Sequence, residues 1–234
     1  MSLQPSPAAP EDVPRAGLTL PRDILINPRR AFAKIAARHE WFAACAVIAL
    51  LSLATAFLVA PALIHVASIV PPPPGESAPK TPEAVAAARQ GLMGELALRE
   101  IMTPLLVVLL TASACTTFAR FKAQTTSIVT FIALAANCMI PSAIGELATG
   151  LAIRAHNPAS FADLHALIVA LPLNLAIFAN PSNEREVGFL ARFDLFTIWS
   201  SVLLAYGVEA LVKVKFTTAL LFAFGLAFLF AVLF

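Results

Sequence analysis

Five long apolar runs dominate this sequence, and they constrain the fold more than any other feature. Each run is close to or above the ~20 residues that a helix needs to cross the hydrocarbon core of a bilayer. Because that core holds no water to pair with backbone N–H and C=O groups, runs of this kind form helices. We predict spanning helices at about 41–70, 101–119, 125–152, 193–212 and 216–234.

The composition indicates lipid as the solvent for most of the surface. Apolar residues make up 59% of the chain and charged residues 13%, and the mean hydropathy is +0.82. Soluble domains hold roughly 45–50% apolar and 25% charged residues. We therefore predict an all-α integral membrane protein, a bundle of five transmembrane helices with an N-terminal amphipathic surface helix. The net charge of +2 gives no reason to expect nucleic acid as a partner.

The chain before the first apolar run divides into two parts. Residues 1–19 are rich in proline and polar residues, and we predict a disordered tail without a signal peptide. Residues 20–40 predict an amphipathic helix on the membrane surface, with the lipid bilayer as its partner. The transmembrane domain then occupies 41–234. The residues expected at the membrane surface are Arg29, Arg30, Phe32 and Lys34.

A sixth apolar stretch, 164–178, is too short to span. Its residues would rise about 22 Å, less than the ~30 Å hydrocarbon core. It also contains Pro172 and Asn174. We predict an outer helix that is either interfacial or re-entrant.

The distribution of Lys and Arg predicts the orientation. With five spans and the N-terminus inside, the inner segments hold ten of these residues, and the outer segments hold Lys80, Arg89, Arg99, Arg154, Arg185 and Arg192. The two shortest loops carry basic residues and no acidic ones, and the positive-inside rule weights short loops most. We predict a cytoplasmic N-terminus and an external C-terminus.

Small residues recur every four positions along the last span. Such stripes mark faces where membrane helices meet closely. We expect the stripe to pack against another helix and the phenylalanines of this span to face lipid. The stripe is Ala219, Ala223, Ala227 and Ala231, and the phenylalanines are Phe222, Phe224, Phe228 and Phe230.

Three polar residues at membrane depth are candidates for function: Asn137, Glu146 and Asp194. Polar groups in a membrane either bond between helices or line a path for a substrate, and the sequence leaves both open. It contains no Ser/His, paired-Asp or HExxH arrangement of an intramembrane hydrolase. We therefore expect no enzyme activity, no metal and no cofactor.

Two segments resemble the Yip domain family, the five-span membrane proteins of the Ypt/Rab-interacting type. They are INPRRAFAKIAARHEW at 26–41 and FDLFTIWSSVLLAYGVEALVKVKFTTA at 193–219. In the second segment, the family's aromatic-Asp-x-Phe-x-x-Trp start is matched by Phe193, Asp194, Phe196 and Trp199, and its later glycine by Gly207. Pro141 also stands where the family tends to have a proline. The resemblance implies a five-helix bundle with a cytosolic N-terminus. It also implies a member of the bacterial type, located in the bacterial cytoplasmic (inner) membrane. It does not carry GTPase binding over, because eukaryotic relatives act through a longer N-terminal region.

We expect a non-enzymatic membrane scaffold or accessory subunit, whose partner is another membrane protein or a second copy of this chain. The alternative is handling of a lipid or small solute along a polar path near Asn137, Glu146 and Asp194. Convergence of these three groups on one water-accessible cavity would favour the alternative.

Overall fold

A computed structural model describes residues 19–28, 31–32, 34–35, 41–69, 82–171 and 173–233. Nearly all of the predicted tail, 1–19, and the predicted surface residues Arg29 and Arg30 lie outside these described residues.

The described residues form nine named α-helices: α1 Thr19–Ile26, α2 Phe42–Ile69, α3 Pro82–Phe121, α4 Ile128–Cys138, α5 Ile140–Ala155, α6 Leu164–Ile168, α7 Glu184–Ala191, α8 Leu195–Val212 and α9 Phe216–Leu233. Two short 3-10 helices, Pro158–Ser160 and Leu175–Phe178, lie among them. Five segments are long and apolar enough to cross a membrane, which confirms the predicted bundle. They are Phe42–Ile69, Met93–Phe121, Ile128–Ala155, Leu195–Val212 and Phe216–Leu233.

The third span, made of α4 and α5, occupies the centre of the bundle. It packs against α2, α3 and α8, and it is the most buried of the five spans. The last span, α9, is peripheral and packs mainly against α8. Near one end of the bundle α9 also meets α3, where the rings of Phe118 and Phe222 stack with centroids 4.4 Å apart.

The bundle has two dissimilar ends. The turn end carries the short connections 122–127 and 213–215, and the loop end carries the long connection 156–194. In each short connection one residue has a left-handed backbone, Ala123 with φ 55° and Lys213 with φ 56°. This conformation ends α3 and α8 abruptly, since the chain cannot continue a right-handed helix through it.

The N-terminal segment packs against protein, and Phe32 lies on the covered side. Phe32 and Ile35 are buried in the same apolar cluster as residues of α2 and α4, and α1 contributes Ile24. Lys34 pairs with Asp23 instead of standing apart on a basic face. The amphipathic pattern of 20–40 predicts a face that must be covered, and periodicity alone does not distinguish lipid from a neighbouring helix. The position of this segment on the membrane surface stays a prediction.

The stretch 164–178 is two short elements rather than one helix. The backbone of α6 ends at Ile168, and Asn174 then caps the 3-10 helix by accepting from Ala176 N–H at 3.0 Å. The Asn174 amide also donates to the Ile168 carbonyl at 2.9 Å, which holds the intervening turn closed. Backbone hydrogen bonds from Leu175 to Phe193 and from Leu195 to Leu173 fasten this turn to the start of α8.

Candidate functional site

A cavity of about 200 Å³ lies between α3 and α9, in the half of the bundle nearer the loop end. Four spans contribute to its walls. Its lining residues are Thr103, Val107 and Thr111 on α3; Ala135, Cys138, Met139 and Ser142 in the central span; Arg192 before α8; Thr197, Ser200, Ser201 and Leu204 on α8; and Ala223, Leu226, Ala227, Phe230 and Ala231 on α9.

The cavity lies where α9 and α3 are separated, beyond the contact between their phenylalanine rings. Phe118 and Phe222 stack nearer the turn end. Beyond that contact, α9 presents alanines where larger residues would close the gap. Three of the four residues in the predicted stripe line the cavity: Ala223, Ala227 and Ala231. Ala219 and Ala223 are buried among the chain's own helices.

The phenylalanines of α9 divide between protein and membrane. The expectation that all four face lipid is wrong for Phe222, which stacks on Phe118, and for Phe230, which lines the cavity. Phe228 is mostly exposed, with its ring edge toward Phe189 at 5.7 Å between centroids. The difference arises because α9 has neighbours on two sides, α8 and α3, so only part of its circumference is left for lipid.

A break in the central span brings polar groups to the cavity wall. The helix is interrupted at Met139, and the buried Pro141 follows in the first turn of α5. Proline has no N–H and cannot continue the hydrogen-bonding ladder of a helix. A neighbouring helix compensates: Ser200 Oγ accepts from the Ser142 N–H at 3.2 Å, and the two serine hydroxyls lie 2.8 Å apart.

Charged residues gather at the end of the cavity nearest the loops. Arg192 lies on the cavity wall, and Glu100 of α3 and Glu146 of α5 lie within its electrostatic reach. Asp194 is close enough to act on Glu146. Arg99 also acts on Glu100, so the group combines two guanidinium groups with three acidic side chains.

Glu146 and Asp194 lie within electrostatic reach of each other, but the three predicted polar residues do not converge on the cavity. Asn137 is fully buried in the central span and donates to the Ala133 carbonyl at 2.9 Å. Glu146 is nine positions further along, or about 13 Å away along the helix axis. Neither Asn137, Glu146 nor Asp194 lines the cavity. Asp194 instead caps α8 by accepting from the Thr197 N–H.

Gly207 and the aromatic residues of α8 have packing positions. A Cβ on Gly207 would lie 2.1 Å from Leu134 Cδ1, so α8 approaches the central span through the missing side chain. Phe196 packs in the same way on Gly145 of α5. Trp199 is 38% exposed one turn into α8, a position typical of the aromatic belt at a membrane boundary.

Two features of the site were not anticipated from the sequence: Arg192 and the Ser142–Ser200 pair. Arg192 entered the sequence reasoning only as a loop charge. The available signal was its position two residues before the Asp194 cap of α8. A residue beside a cap lies at the end of a helix, and so at the end of the bundle. No sequence signal paired Ser142 with Ser200, because their contact depends on how α5 and α8 pack. Among the described residues no group of three His, Cys, Asp or Glu side chains could hold a metal ion.

The bundle and its broken third span can now be compared with known proteins. The model of the Yip1 domain family matches residues 22–234, which includes all five spans and the segment 193–219 that carries the resemblance. No curated protein and no solved structure matches the chain. By the extent of the family match, the chain is a multi-pass membrane protein that belongs to the Yip1 domain family.

Proposed function

We propose that this chain is a non-enzymatic membrane scaffold or accessory subunit that contacts another membrane protein. The observation that carries this proposal is the length of α3. The helix has 40 residues, or about 60 Å at 1.5 Å per residue, twice the ~30 Å hydrocarbon core. Its spanning part begins at Met93, so Pro82 to Leu92 extend beyond the span by about 16 Å.

The extension of α3 presents an open surface. Ala86, Ala87 and Gln90 are exposed, and a methyl group placed on Gly91 or Gly94 would meet no other atom within 4 Å. A helical segment as short as this extension is marginal in water without tertiary packing, and the glycines at 91 and 94 weaken it further. A partner that packs on the small residues would stabilise the extension, as small residues let a second backbone approach closely.

The polar-path alternative receives less support. A path for a solute requires polar groups that share one cavity, and Asn137, Glu146 and Asp194 do not. Asp194 has a cap to form, and Asn137 is fully buried against its own helix. The lipid bilayer is the solvent of the bundle in either case, and GTPase binding forms no part of the proposal.

We further propose that the turn end faces the cytoplasm and the loop end faces outward, in a bacterial cytoplasmic membrane. The support is the charge count: Arg120, Lys122, Lys213 and Lys215 all lie at or beside the two short connections. The extension of α3 would then meet its partner on the outer side of the membrane.

Photo-crosslinking in intact membranes tests the scaffold proposal. A photoreactive residue at Gln90 should give one discrete protein adduct, whereas the same residue at Leu221, on the lipid-exposed side of α9, should give none. Mass spectrometry of the adduct then distinguishes another membrane protein from a second copy of this chain.

A matched pair of variants separates contact from folding. Gly91→Glu should abolish the Gln90 adduct while the bundle keeps its melting temperature, because a Cβ at residue 91 would meet no side chain or neighbouring helix within 4 Å in the described part of the chain. Gly91→Ala should keep the adduct. A Gln90 that gives no adduct in wild-type membranes, or an adduct that survives Gly91→Glu, would contradict a partner on this surface.

A further inference from the structure

The cavity between α3 and α9 has the depth of one membrane leaflet. Its lining runs from Thr103 to Thr111 on α3 and from Ala223 to Ala231 on α9, about 12 Å along each axis. One half of the ~30 Å hydrocarbon core is about 15 Å. The cavity therefore extends over a depth comparable to one leaflet, in the half of the bundle nearer the loop end, and the Phe118–Phe222 stack lies beyond its floor.

The cavity wall is largely apolar. Three of its hydroxyls are engaged within the protein: Ser142 and Ser200 with each other, and Ser201 with the Thr197 carbonyl at 2.9 Å. The other hydroxyls in the lining belong to Thr103, Thr111 and Thr197. The remaining surface comes largely from alanine, leucine, valine and phenylalanine side chains. At about 200 Å³ the cavity exceeds the ~150 Å³ that suffices to bind benzene in an apolar core.

The rim of the cavity carries charges of both signs. Arg192 is exposed, and a guanidinium has five N–H donors in a fork that matches phosphate oxygens. Glu100 and Glu146 lie within its electrostatic reach, as Arg99 does for Glu100 and Asp194 for Glu146. Because side chains of both signs are grouped here, a headgroup with a phosphate and an amine would complement them.

We propose that this cavity binds a phospholipid with a zwitterionic, amine-containing headgroup. One acyl chain fills the space between α3 and α9, the phosphate lies against Arg192, and the amine lies toward Glu100 and Glu146. The site is separate from the extension of α3, so this proposal does not depend on the scaffold proposal.

Native mass spectrometry of the full chain tests the site. Protein released from nanodiscs that contain equal amounts of phosphatidylethanolamine and phosphatidylglycerol should retain one phosphatidylethanolamine. Ala227→Leu, which fills the cavity from α9, should reduce retention about tenfold, as should Arg192→Gln at the rim. Gly225→Leu is the matched control, because it places the same leucine side chain at an exposed position of the same helix and should leave retention unchanged.

Each alternative to this proposal predicts a different result in these measurements. Preferential retention of phosphatidylglycerol would overturn the headgroup assignment, and unchanged retention in both Ala227→Leu and Arg192→Gln would overturn the site. A photoreactive residue at Ala231 separates the occupants: an adduct with lipid supports the proposal, and an adduct with another protein shows that a helix fills the cavity and overturns it. Arg192→Lys guards against a folding artefact, since it keeps the charge but not the fork and should fall between wild type and Arg192→Gln.

Discussion

Gly207 lies where α8 passes close to the central span, and a side chain there would have no room. An added methyl would lie 2.1 Å from Leu134 Cδ1, and Leu134 is fully buried. We expect Gly207→Ala to destabilise the bundle by about 1–3 kcal/mol, the usual effect of overpacking, seen as a lower melting temperature in detergent. Gly225→Ala meets no atom within 4 Å and should be neutral or slightly stabilising. Equal melting temperatures for the two variants would contradict the close approach.

Substitutions at Asp194 test whether this side chain acts as a helix cap or its charge serves another function. Its side chain accepts from the Thr197 N–H at the start of α8. Asparagine serves as a helix cap about as well as aspartate, and alanine does not. We expect Asp194→Asn to keep the melting temperature and Asp194→Ala to lose about 1 kcal/mol of stability. If the two variants are equally unstable, the charge itself matters and the cap does not explain this residue.

The residues that could be assigned from sequence are those whose role is local. Asp194 follows a helix-start pattern, and Gly207 and Trp199 stand in a segment that the family resemblance marked. Arg192 could not be assigned, because its importance depends on α3 and α9 lying apart beside it. That separation comes from packing between elements far apart in the chain, which no local pattern encodes.

At the scale of whole elements, α9 has one face for protein and another for lipid. Ala223 is 1% exposed, whereas Gly225, two positions on, is exposed and meets nothing within 4 Å. We expect Ala223→Leu to destabilise the bundle by about 1–3 kcal/mol and Gly225→Leu to be nearly silent. Thermal unfolding of the two variants in the same detergent measures the difference. Greater damage from Gly225→Leu would mean that α9 is turned the other way.

Spans were predictable because apolar length is written directly in the sequence, whereas the elements between them were not. The second span begins at Met93, several residues before the predicted start at about 101. The helix itself continues back to Pro82, since polar residues in a helix do not interrupt its hydrogen bonds. The division of 164–178 depends on the Asn174 side chain reaching back to Ile168. Such a bond is one of several open to an asparagine, so sequence alone does not select it.

The whole molecule carries a topology that can be tested with two cysteines. In a variant without Cys45, Cys115 and Cys138, an impermeant thiol reagent added outside should label Ser182→Cys at the loop end. It should not label Lys215→Cys at the turn end, because short basic connections stay in the cytoplasm. The reverse pattern would invert the proposed orientation, and labelling of both residues would remove the five-span arrangement.

The burial of Phe32 has a consequence for the order of events during synthesis. Phe32 shares its apolar cluster with Phe131 of the central span, a residue made about a hundred positions later. At roughly 5–20 residues per second this separation lasts about 5–20 s.

Stalled nascent chains can catch this interval. In chains lacking the native cysteines, Phe32→Cys should react readily with a thiol reagent when synthesis is halted after Ile69. It should be protected when the central span, through Ala155, has been inserted. Equal reactivity in both would show that the segment finds its cover earlier. Until α4 has been synthesised, the membrane surface is the apolar environment available to Phe32. The amphipathic pattern of the N-terminal segment therefore suits the nascent chain before it suits the completed bundle.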